Sequence, residues 1–149
     1  MKYLCANLKG LILWTVAAMF SVAVIGCTYQ YVADYDASVV EDVNLISKKI
    51  DIFFGKLLET PVDERGYQRF KDTYIEVEAD LRLLLRRNEI RPLNDETTKQ
   101  INITLNLWLD DKAKHAKDNT VSNFIAKRHR EQFCRLFVAM AKGEMAKEM

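Results

Sequence analysis

Residues 38–57 read SVVEDVNLISKKIDIFFGKL, and the spacing of their apolar positions decides the fold. Val39, Val43, Ile46, Ile50, Phe53 and Leu57 recur at alternating steps of four and three, which draws a continuous stripe along one helix face. Ser38 and Glu41 stand at capping-box spacing, so the helix is expected to begin there. Thr60-Pro61 ends it, because a residue before proline is pushed out of helical geometry.

The same period continues down the chain. Tyr67, Phe70, Tyr74, Val77, Leu81 and Leu84 form a second stripe that runs to about Ile90, where Arg91-Pro92 stops it. Asn94 or Asp95 is expected to cap a third helix carrying Ile101, Leu105 and Trp108. The polar stretch 114–119 reads as a turn, and a fourth helix from Asn119 or Thr120 carries Val121, Ile125, Phe133, Leu136 and Met140. Glycine is scarce after residue 27, and Pro61 and Pro92 both fall at joints, so strands and hairpins have little support. Four helices with short connections predict an all-α antiparallel up-down bundle. The alternative is three helices plus a loose carboxyl-terminal one, since the third stripe is short and the fourth is interrupted at Arg128 and His129. The tail from Lys142 is expected to fray.

Composition separates the amino-terminal segment from this bundle. The chain has 149 residues, 49% of them hydrophobic, and a net charge of +1. Its first 26 residues hold 19 apolar ones and only two charges, Lys2 and Lys9, so the remainder is about 44% apolar with net charge −1. Such a balance argues against a sequence-independent nucleic-acid binder, which needs an excess of Lys and Arg to displace counterions. Lys2 and Lys9 precede the apolar run 11–25, then Gly26 and Cys27, in the order of a secretory signal. As a helix that run spans only about 22 Å, short of the roughly 30 Å hydrocarbon layer, so a cleaved signal is favoured over a membrane anchor.

Val24-Ile25-Gly26-Cys27 resembles the lipobox of bacterial lipoproteins. The resemblance implies cleavage after Gly26, diacylglycerol on the Cys27 thiol, and acylation of the new amino terminus. Two or three acyl chains make a durable anchor, because each buried methylene adds about 0.8 kcal/mol. In that family the residue after the cysteine influences sorting, and Thr28 in place of Asp implies the periplasmic face of the outer membrane rather than the inner membrane. With the helical remainder and the lead-in Asp34-Tyr35-Asp36, the chain looks like the small helical lipoproteins of Gram-negative bacteria, from which no activity carries over. The expected division is a signal peptide over 1–26, a lipidated cysteine and tether over 27–37, and the bundle over 38–149. Tyr29, Tyr31 and Tyr35 in the tether suit either the headgroup level or the bundle surface. Cys134 is then the one thiol of the mature chain, either a small buried apolar residue, which is favoured, or a thiol open to a second chain.

The search for chemistry finds no recognisable catalytic set. His115 lies four residues after Asp111 and reads as part of a solvated helix end, since two ligands do not make a metal site and no Glu-x-x-His pair occurs. His129 reads as a boundary histidine with a satisfied hydrogen bond. Ser38, Ser47 and Ser122 lack a nucleophile motif, and Glu76, Glu78 and Asp80 read as a solvated face. Lys127-Arg128-His129-Arg130 is a basic cluster whose members point in different directions on a helix. Residues 89–95 and the lead-in 31–36 look least like generic scaffold. The expected function is a lipid-anchored protein, not an enzyme and without cofactor or metal, that works through contacts with another envelope protein. The alternative is a bundle that binds a small hydrophobic ligand near Tyr67, Tyr74, Trp108 and His129.

Overall fold

The computed structural model describes residues 31–148, so the expected signal segment, Gly26, Cys27 and Tyr29 lie outside the described residues. All regular structure among these residues is helical: α1 (Ala37–Glu59), a 3-10 turn (Val62–Glu64), α2 (Tyr67–Glu89), α3 (Asp95–Asp118), α4 (Asn123–Met145) and a closing 3-10 turn (Ala146–Glu148). Each helix packs against two neighbours in a ring, most closely α1 with α4 and α2 with α3. The short connections alternate ends, which gives the up-down-up-down bundle that the stripes predict and leaves no loose fourth helix.

The core follows the apolar period. Phe53 sits at its centre, with ring centroids 4.7 Å from Tyr74, 5.0 Å from Trp108, 5.2 Å from Phe54 and 5.8 Å from Phe70. Its neighbours stand edge-on, the arrangement aromatic quadrupoles favour. The indole N–H of Trp108 donates to the Tyr74 carbonyl at 3.0 Å, which satisfies the polar atom of the largest buried side chain.

The helix boundaries differ from expectation in four places, each with a local cause. Asp36, not Ser38, caps α1: its carboxylate accepts from the Ser38 amide at 2.9 Å and the Ser38 hydroxyl at 2.6 Å. The polar stretch 114–119 is helical to Asp118, because Asp111 and His115 continue the inward face of Ile101, Leu105 and Trp108 with polar groups. Ser122 caps α4 by accepting from the Ile125 amide, so that helix starts later than Asn119 or Thr120. Its inward stripe is Ala126, Phe133, Phe137, Met140 and Glu144, while Ile125 is partly exposed. The tail does not fray from Lys142, since α4 runs to Met145 and Glu144 is wholly buried.

Asn119 stops one helix and starts another. It takes the left-handed conformation (φ 50°), its N–H closes α3 on the His115 carbonyl at 2.8 Å, and its side-chain oxygen accepts from the first amide of α2, that of Tyr67, at 2.9 Å. Asn119→Ala is expected to cost about 2 kcal/mol, roughly half from the lost cap and half from left-handed backbone strain. Asn119→Gly keeps the conformation and should lose only the cap. Urea unfolding of both variants checks this, and equal losses would contradict it.

Candidate functional site

Two buried polar clusters occupy opposite ends of the bundle, and they gather residues that the apolar stripes conceal. The first lies where the chain enters α1. Glu144 of α4 accepts at one carboxylate oxygen from Arg91 at 2.7 Å and from the Asp36 amide at 3.0 Å, and at the other from Lys147 at 2.6 Å. Arg91 also donates to Asn88 at 3.0 Å and to the Asp34 carbonyl. Lys147 reaches Asn94 and Thr97, and Asn94 in turn bonds Asn88 at 2.8 Å. Burial alone would raise the Glu144 carboxyl, but hydrogen bonds from Arg91 and Lys147 outweigh it and hold the group below the ordinary carboxylate range. The two segments that look least like scaffold therefore meet here: the Ala33 amide donates to the Leu93 carbonyl at 3.0 Å, and residues 33–36 of the expected tether lie on the bundle.

At the far end, the buried Arg65 guanidinium donates to the carbonyls of Thr60 at 2.8 Å and Val121 at 2.9 Å and to the Asn123 side chain at 2.7 Å. It thereby binds a free carbonyl at the end of α1 and joins both loops of that end. His115 is buried beside it, which corrects the reading of a solvated helix end. The Arg65 carbonyl can only accept, so His115 carries its proton on Nε2 (2.7 Å), and Nδ1 accepts from the Tyr74 hydroxyl at 3.2 Å. Burial lowers the His115 pKa and raises that of the Tyr74 hydroxyl, so both are neutral at pH 7.

Between the ends, His129 bonds Asp111 through Nδ1 at 2.7 Å and links α4 to α3, as a boundary histidine with a satisfied partner should. A carboxylate that orients an imidazole is the geometry of a general base. The serines lead elsewhere: Ser38 bonds Asp36 and Arg87, and Ser122 caps α4. Cys134 is exposed rather than buried, because Phe133 and Phe137 take the inward positions beside it.

The remaining charged candidates are cross-links on the surface. Lys49 of α1 bridges Glu76 and Asp80 of α2, each at 2.7 Å, and Glu78 binds Lys112 of α3 at 2.8 Å. Arg130 grips Asp51 of α1 through two bonds while His129 turns inward, so the basic cluster does diverge. Exposed pairs of this kind contribute about 0–1 kcal/mol each. Tyr67, Tyr74 and Trp108 sit together, with centroids 5.9 Å and 4.8 Å from Tyr74; Tyr74 and Trp108 lie in the packed interior and Tyr67 is half-buried at its edge. Among the described residues no group of three His, Cys, Asp or Glu side chains is placed to hold a metal ion.

Glu144, Asn88 and Arg65 were not legible as site residues. Glu144 follows Met140 by four and Asn88 follows Leu84 by four, so polar residues in phase with a stripe were the available signal. Arg65, in a loop, carries no such phase. No family model matches the chain, and neither a curated protein nor a solved structure is found similar to it.

Because the folded pKa of His115 lies below its unfolded value near 6.5, the unfolded chain takes up the proton first as pH falls. The stabilisation from the neutral ring is present above about pH 6.5 and is lost below it. The chain should lose stability relative to His115→Gln between pH 7 and pH 5, measured by denaturant unfolding at each pH. Parallel curves would contradict the assignment.

Proposed function

We propose that this chain is a bacterial lipoprotein whose helical domain is held at the periplasmic face of the outer membrane through acyl chains on Cys27. It works there as an adaptor, scaffold or exclusion-type factor that binds an envelope protein, without catalysis. The observation that carries this reading is the order Lys2, Lys9, apolar run, Val24-Ile25-Gly26-Cys27, followed within six residues by Ala33, whose amide is bonded to the bundle. Anchoring two or three acyl chains so near a packed domain confines it to the membrane surface.

The arrangement of charges supports a scaffold. His129 and Asp111, Lys49 with Glu76 and Asp80, and Lys112 with Glu78 each join two helices, and no buried side-chain nitrogen or oxygen among the described residues lacks a hydrogen-bond partner. Groups used in this way give rigidity, and a rigid surface binds a partner with little ordering cost.

Cells fed labelled palmitate should incorporate it into the chain, and Cys27→Ser should abolish incorporation and leave the longer precursor. Unchanged labelling would overturn the reading. Crosslinking in cells, with the attached protein identified by mass spectrometry, then names the partner.

A further inference from the structure

Besides Tyr31, the end of the bundle where the chain enters α1 exposes four large apolar side chains. Ile90 is 84% exposed, Val32 and Leu93 53% each, and Met145 51%. All four belong to one place, because each is fixed by the Glu144 cluster or adjoins a residue that is. Ile90 precedes Arg91, Met145 follows Glu144, Val32 precedes Ala33, and Leu93 gives its own carbonyl to the Ala33 amide. Three separate segments of chain thus bring exposed apolar side chains to this one end.

Leu93 makes the surface harder to attribute to the bundle's own needs. Its φ is 58°, in the left-handed region that glycine or asparagine occupies with least strain, and its side chain gains little burial in return. Strain held at an exposed apolar residue fits a role in contact with something outside the bundle.

We propose that this end docks on the lipid surface itself, with Ile90, Leu93, Val32 and Met145 at the boundary of headgroups and acyl chains. The proposal rests on the lipid-anchored reading and adds an orientation to it. Only residues 28–32 separate Cys27 from the pinned Ala33, so the lipid lies within about 20–22 Å of chain from this end. The opposite end also exposes apolar residues, Val62 and Phe124, but it stands a helix of 23 residues away, about 34 Å. Chain exit and tether length therefore select the first end. Its two inner cations, Arg91 and Lys147, are engaged by Glu144, and the rim carries Arg86 and Lys99 alongside Glu89, Asp95 and Glu96. The contact is accordingly apolar and should resist salt.

The test uses the full chain, purified from membranes and reconstituted in vesicles of phosphatidylethanolamine and phosphatidylglycerol with brominated acyl chains. Ile90→Trp and Phe124→Trp each add one indole, and subtracting the emission of the parent chain removes Trp108, the one indole after residue 26. The added indole at 90 should lose about half its emission or more, as expected for a group 5–10 Å into the interface, in low salt and high salt alike. The one at 124 should lose none. Adding Leu93→Asn, which suits the left-handed backbone, should reduce quenching at 90 while the chain stays on the vesicles. A vesicle-bound chain with no quenching at 90, or with quenching at 124 instead, overturns the docking and leaves the anchor intact. A chain that does not remain with the vesicles overturns the anchor, and the docking with it.

Discussion

Glu144 is a carboxylate removed completely from water, and such a group costs several kcal/mol unless its charge is met within the protein. Here Arg91, Lys147 and the Asp36 amide meet it, and they come from three different parts of the chain: the connection after α2, the turn after α4, and the lead-in to α1. The lead-in, the α2–α3 connection and the end of α4 are thereby fixed together by one side chain. Removing Glu144 takes away the carboxylate that both cations bind, whereas removing one cation still leaves the other. The carboxylate is therefore the member on which the geometry of that end depends.

The far end solves the same problem without a carboxylate. Arg65 spends its donors on carbonyls of Thr60 and Val121 and on Asn123, and its own carbonyl accepts from the Nε2–H of His115. Both clusters lie where helices end, which is where a bundle has free backbone groups to satisfy. Between them the aromatic centre around Phe53 supplies apolar burial, so the bundle is apolar in the middle and polar at its buried ends.

That division explains what the sequence reveals. The first two stripes predict α1 and α2 to within two residues, since apolar side chains mark their inward faces from end to end. The third and fourth stripes fade at Asp111, His115 and Glu144 because these inward positions are polar, and the pattern then reads as turn or frayed tail. Residues 31–36 and 89–95 stand out by composition, yet their meeting at Glu144 needs tertiary contact. Cys134 looked buried by residue type, but the phase of Phe133 and Phe137 puts it outside. The resemblance of Val24-Ile25-Gly26-Cys27 to a lipobox is read locally, residue after residue, and depends on no fold at all.

The central claim is that the buried carboxylate clasps the lead-in segment to the base of the bundle, and amide hydrogen exchange reads this directly. In the native full chain the Ala33 and Asp36 amides should exchange at least about 100-fold more slowly than in unstructured chain. In Glu144→Leu the Asp36 amide should lose that protection while core amides such as that of Tyr74 keep theirs. Exchange of Ala33 and Asp36 at the unstructured rate in the native chain would contradict the account.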